Sequence, residues 1–135
     1  MERPGVGISA IVLKGKKVLL GKRKGSHGAG TWAFPGGHLE LFEDYETCIL
    51  REIEEETGLK IEIIDKNPVA VTNDFFPEGK HYITLFIKAK WISGEAEVKE
   101  KEKCEEWKWF SWDNLPSLLF TPVKNLIKQN FNPFK

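Results

Sequence analysis

Arg51-Glu52-Ile53-Glu54-Glu55-Glu56-Thr57-Gly58 is the stretch on which the reading of this chain turns. From Asp44 to Thr57 the residues are good helix formers without glycine or proline, and Gly58 stands where a left-handed cap ends a helix. Residues three and four apart are neighbours on a helix surface, so Glu52, Glu55 and Glu56 share one face while Glu54 points away. Like charges at that spacing destabilise a helix by about a few tenths of a kcal/mol per pair. A cation removes that repulsion, and carboxylate oxygens suit hard cations such as Mg²⁺ or Mn²⁺. No His or Cys stands on this face at zinc-binding spacing.

A glutamate run by itself is usually a solvated helix face. The residues before the helix argue for more. Pro35-Gly36-Gly37 is expected to form a turn whose glycines let backbone approach a ligand or metal closely. Glu43 and Asp44 sit at the helix start, where acids complement the helix dipole. Arg51 follows Glu43 by eight residues and has Glu55 at i+4. Its expected job is to hold a carboxylate in position, not to bind substrate.

The spacing as a whole resembles the Nudix signature, met here at Gly37, Glu43, Arg51, Glu52, Ile53, Glu55, Glu56, Gly58 and Leu59. The likeness extends outward. Leu20–Ser26, Gly28–Gly30, Phe34–Glu40 and Glu105–Leu115 resemble the MutT-like branch that acts on nucleoside triphosphates. One departure is Leu41-Phe42, where many relatives have glycine just before the glutamate.

The resemblance implies an α/β fold, an α/β/α sandwich with a central mixed sheet, spanning residues 1–135 as a single domain. It implies attack of water on an internal phosphorus with Mg²⁺ as cofactor, Mn²⁺ substituting. Glu52, Glu55 and Glu56 are the expected metal ligands and, with Arg51, the catalytic set. The general base stays open among these glutamates and a downstream one such as Glu102 or Glu105. A Gly36 or Gly37 carbonyl is a further candidate ligand. For the substrate, the resemblance nominates Arg23 for phosphate and Phe34, His38 and Thr84 for the nucleotide. Each has an ordinary reading beside this one: a solvated strand end for Arg23, core for Phe34, strand filler for Thr84.

The expected substrate is a nucleoside triphosphate, with a lean toward a modified or pyrimidine deoxynucleotide, cut to a monophosphate and pyrophosphate in nucleotide-pool sanitation or regulation. ADP-ribose or dinucleotide hydrolysis, and nucleotide binding without hydrolysis, are the alternatives. Relatives also suggest a homodimer.

The rest of the chain sets limits. At 135 residues and 41% hydrophobic it can bury a core without staples. Twenty basic residues balance twenty acidic ones, which argues against a nucleic-acid polymer or an anionic membrane as partner. The apolar segment Val6 to Leu13 is too short to span a bilayer. Cys48 and Cys104 make no disulfide framework, which fits a cytoplasmic setting. Strands are expected at Gly5–Leu13, Val18–Gly21, Lys60–Ile64, Pro68–Thr72, His81–Trp91 and Trp107–Phe110, with a C-terminal helix over Pro122–Phe131. Gly25–Gly30 reads equally as a surface loop or a phosphate cradle, and Lys99–Glu106 as a charged connector.

The all-oxygen glutamate face predicts that turnover needs a divalent cation. Exhaustive chelation should abolish activity and added Mg²⁺ should restore it; full turnover in the chelated protein would refute a metal-dependent reaction.

Overall fold

The computed structural model describes residues 2–135. Its strands are β1 (Gly5–Lys14), β2 (Lys17–Arg23), β3 (Trp32–Ala33), β4 (Gly36–His38), β5 (Lys60–Ile63), β6 (Ala70–Phe75), β7 (His81–Ser93) and β8 (Cys104–Ser111). Two helices join them, α1 (Tyr45–Thr57) and α2 (Thr121–Lys128). β1 and β7 form a parallel pair from Gly5↔Tyr82 to Leu13↔Lys90. The other pairings between these strands are antiparallel, so the sheet is mixed.

The central pair changes partners along its length. One end of β1 pairs with β2 at Leu13↔Val18, the other with β4 at Gly7↔His38. Likewise β7 pairs with β6 near its start and with β5 near its end. β2 continues outward to β3 and β8.

Alternation along β1 explains why the sheet is covered on both faces. Ile8, Ala10 and Val12 face a core closed by Ile49 and Ile53 of α1. Ile11 faces the opposite core with Leu20, Phe34 and Phe86, closed by Val123 and Leu126 of α2. This is the expected α/β/α sandwich.

Local chemistry sets the ends of both helices. Asp44 caps α1, its Oδ1 accepting the Thr47 N–H at 2.8 Å, and Gly58 ends it at φ 73°. α2 carries proline in its first turn and stops at Lys128, shorter than expected, because Asn130 turns left-handed at φ 59°.

Three other boundaries differ from the sequence expectation. Gly36–His38 is a strand, not a turn, because glycine lets this segment lie directly on β1. The charged 99–106 segment is not all connector: β8 begins at Cys104, paired with β2. β6 runs to Phe75, three residues beyond the expected end at Thr72. Asn73 and Asp74 disfavour strands, but neighbours satisfy the Asp74 carboxylate.

The β1–β4 contact tolerates no side chain at Gly36, since a Cβ there would sit 2.1 Å from the Ile8 carbonyl oxygen. Gly36→Ala should therefore lower stability by about 1–3 kcal/mol, the usual cost of overpacking, read as a shifted denaturant midpoint. An unchanged midpoint would mean that β4 is not held against β1.

Candidate active site

β4 lies between β1 and α1, and this brings the glycine segment under the glutamate face. The Gly36 N–H donates to Glu56 Oε1 at 2.9 Å. A Cβ on Gly37 would fall 2.4 Å from Glu52 Oε1, so the absence of a side chain there makes room for the Glu52 carboxylate. Glu52 and Glu56 then line one cleft with Gly36, Gly37, Glu100 and Lys103.

Arg51 arranges the carboxylates around it. Its Nε and Nη2 donate to Glu43 Oε2 and Oε1, both at 3.0 Å, in a bidentate pair. Its Nη1 donates to Glu52 Oε1 at 3.0 Å and stands 3.6 Å from Glu55 Oε2. The hydrogen bonds from Arg51 hold the Glu43 carboxyl down at about 2. Arg51 thus ties the loop before α1 to Glu52 and fixes where that carboxylate points.

The two cleft carboxylates are shifted the other way. Burial, then the charge of Glu52, pushes Glu56 up to about 8 against the stabilising Gly36 N–H. Burial also raises Glu52, with Arg51 opposing and Glu55 and Glu100 adding like charge. These groups resist carrying their charges together.

A second cavity adjoins the first. It is lined by His27, Phe34, Phe76, Tyr82 and Phe120, with Gly7 and Thr84 on the sheet side. The His27 ring lies 4.5 Å from Phe76 and 5.3 Å from Phe120 between centroids. Arg23, Phe34, Gly36, Gly37 and His38 line both cavities, so the aromatic pocket opens into the acidic cleft. Arg23 stands at that junction, 4.1 Å from the Phe120 ring centre, its Nε donating to the His27 carbonyl at 3.0 Å. Burial lowers its pKa, yet a guanidinium stays charged at neutral pH.

The structure gathers Arg23, Phe34, Gly36, Gly37, His38, Thr84, Glu52 and Glu56 around these two cavities. Arg51 stands behind the cleft wall. Glu55 does not line the cleft; it is exposed and faces Arg51. Glu54 is exposed as well. Of the downstream glutamates, Glu100 lines the cleft, while Glu105 pairs with Lys22 and Glu102 is exposed. The sequence reading did not pick out Glu100, His27, Phe76, Tyr82 or Phe120. They come from four separate loops and a strand end, and no spacing rule links them. The glycines around His27 are the one local signal.

The donor set fits a hard divalent cation. Two adjacent carboxylates, both disfavoured as bare anions, supply the one or two protein oxygens Mg²⁺ usually takes. Among the described residues no group of three or more carboxylate, His or Cys side chains converges as a ready-made metal site.

The raised Glu56 pKa has a consequence for the metal-free protein. Its folded value of about 8 lies above the unfolded value near 4.5, so folding favours the protonated form. That contribution is full below about 4.5 and is lost as pH rises through about 8. The melting temperature in chelator should fall across this window, and Glu56→Gln should flatten the fall; an equally steep slope in the variant would contradict the assignment. Arg51→Ala should raise the Mg²⁺ concentration needed for half-maximal rate, because Glu52 loses its anchor. A change confined to substrate KM would make Arg51 a substrate contact instead.

Comparison with known proteins places this architecture. The NUDIX domain model matches residues 1–131. The ADP-ribose pyrophosphatase of Methanocaldococcus jannaschii is 37% identical over 121 residues, covering 90% of this chain and 70% of that protein. The NAD-capped RNA hydrolase NudC of Pseudomonas aeruginosa is 34% identical over 119 residues, covering 87% of this chain but only 40% of its own length. The crystal structure of a MutT NUDIX hydrolase from Burkholderia pseudomallei superposes with a TM-score of 0.84 at 33% identity, covering 96% of this chain and all of that one. The motif from Gly37 to Leu59, the mixed-sheet sandwich and these matches agree: the chain belongs to the Nudix hydrolase family.

Proposed function

We propose that this hydrolase cuts a nucleoside triphosphate to a monophosphate and pyrophosphate, with the base in the aromatic pocket and the phosphates in the acidic cleft. One observation carries the reading: the two cavities share a wall, and Arg23, the basic residue common to both, stands where a base-linked phosphate would pass from one to the other. Phe34, His38 and the aromatic rings around them offer stacking surface for one base, an interaction worth about 1–3 kcal/mol where measured in nucleic-acid binders.

Glu52 and Glu56, with a Gly36 or Gly37 carbonyl, would hold Mg²⁺, which neutralises phosphate charge and activates water. Arg51 keeps Glu52 aimed at the cleft. Glu55, exposed beside Arg51, acts from the rim through water. Of the two other carboxylates that line the cleft, Glu40 and Glu100, it is Glu100 whose charge acts on both Glu52 and Glu56, and it takes the proton of the attacking water, while Lys103, 3.5 Å away, holds its side chain. Glu100→Gln should lower kcat by at least about a hundredfold, the low end for loss of a general base. Glu102→Gln and Glu105→Gln should leave it near the parent value. The reverse pattern would move the base elsewhere.

A second reading, hydrolysis of ADP-ribose, is favoured by the 37% identity to the Methanocaldococcus jannaschii ADP-ribose pyrophosphatase. The same two cavities would hold adenine and the diphosphate. Competition among triphosphates, ADP-ribose and dinucleoside polyphosphates at equal low concentration separates the two. The highest kcat/KM is expected for a triphosphate. A higher value for ADP-ribose would replace the substrate and leave the cleft chemistry standing.

A further inference from the structure

Asp74 is wholly buried, a carboxylate with no basic side chain among its hydrogen-bond partners. It does not line the acidic cleft. Burying such a group is costly unless its oxygens are satisfied, and here three side chains converge on it. Thr72 Oγ1 and Thr84 Oγ1 donate to Oδ2 at 3.0 and 2.5 Å, and Asn125 Nδ2, from α2, donates to Oδ1 at 2.8 Å. A carboxylate only accepts hydrogen bonds, so each hydroxyl must spend its one proton on it.

Thr84 also forms part of the aromatic pocket. Its register partner on β1 is Gly7, which lines the same pocket. A Cβ on Gly7 would lie 3.6 Å from Thr84 Oγ1, so glycine leaves the space before that oxygen open. With its proton committed to Asp74, the oxygen meets a ligand through its lone pairs.

We propose that Asp74 fixes the hydrogen-bonding sense of the pocket: by taking the Thr84 hydroxyl proton it makes Thr84 an acceptor, so the site selects a base that presents an N–H donor. Asp74 is in this sense a positioning residue, and Thr84 the group that reads the base. The inference rests on the base occupying the aromatic pocket, and it adds which edge chemistry that base must carry. A hydroxyl free to rotate would serve donors and acceptors alike; this one does not.

Binding of nucleoside monophosphates tests it without relying on turnover. The probes are two pairs that differ only by an exocyclic amino group: AMP against purine riboside 5′-monophosphate, and CMP against the corresponding 4-deamino pyrimidinone nucleotide. Calorimetric Kd values should favour the amino form in at least one pair by about three- to tenfold, the range of one neutral hydrogen bond. Thr84→Val, nearly the same shape, should reduce that ratio to near one, and Thr84→Ser should restore it. Asp74→Asn, which can donate to Thr84, should also erase the preference. A ratio that persists in Thr84→Val would overturn the proposal, as would equal binding of both members of each pair by the parent protein. Saturable binding without preference refutes only the polarity argument. No saturable binding by any of the four refutes the base pocket with it. Should Asp74→Asn fail to fold, the valine and serine variants decide the matter alone.

Discussion

The Gly36 N–H bonded to Glu56, with the Gly36 Cα pressed against the Ile8 carbonyl of β1, is the contact from which the site is built. It joins three elements at one residue. β1 supplies the floor, β4 the backbone donor and α1 the carboxylate. The Gly37 Cα lies so close to Glu52 that a Cβ would overlap its carboxylate. A side chain at Gly36 would push β4 off β1, and one at Gly37 would displace the Glu52 carboxylate from the place it now occupies.

Electrostatics then divides the glutamates of α1 by role. Arg51 compensates Glu43 and Glu52, and Glu43 is held strongly ionised. Glu56 has no such partner and is pushed toward neutrality by burial and by Glu52. The helix therefore contains one compensated region and one that is short of positive charge, within a turn of each other. A cation or a cluster of ordered donors relieves that imbalance, whereas a merely solvated face would show no such contrast.

The opposite side of the site is built on different physics. The aromatic pocket takes its surface from His27 in the glycine loop, Phe76 in the β6–β7 turn, Tyr82 on β7 and Phe120 before α2. His27 ties two of these segments together, its Nδ1 lying 2.5 Å from Glu78 Oε2. The loops are short of regular structure, yet ring contacts and this bridge order them around a single cavity. The sheet beneath contributes the polar edge through Thr84 and the buried Asp74.

Much of this was written in the sequence. The α1 helix, its Asp44 and Gly58 ends and the glutamate face follow from local propensity and a fixed spacing, because a helix places residues three and four apart together wherever it sits, and the mixed-sheet sandwich follows from the family resemblance that this spacing carries. Neither the spacing nor the resemblance told β4 from a turn, since the strand there exists only by pairing with Gly7–Ser9 of β1. Nor did they separate Glu55 from its neighbours Glu52 and Glu56. All three share a helical face, but only the side chains turned toward β4 enter the cleft, and that direction is set by how α1 docks. Glu100 over the nearby Glu102 and Glu105, the aromatic pocket and the Asp74–Thr84 pair were likewise decided by tertiary structure. The antiparallel pairing of β6 with β7 brings Asp74 to Thr84, and the parallel pairing of β1 with β7 and the docking of α2 bring Gly7 and Asn125 to the same place from distant parts of the chain.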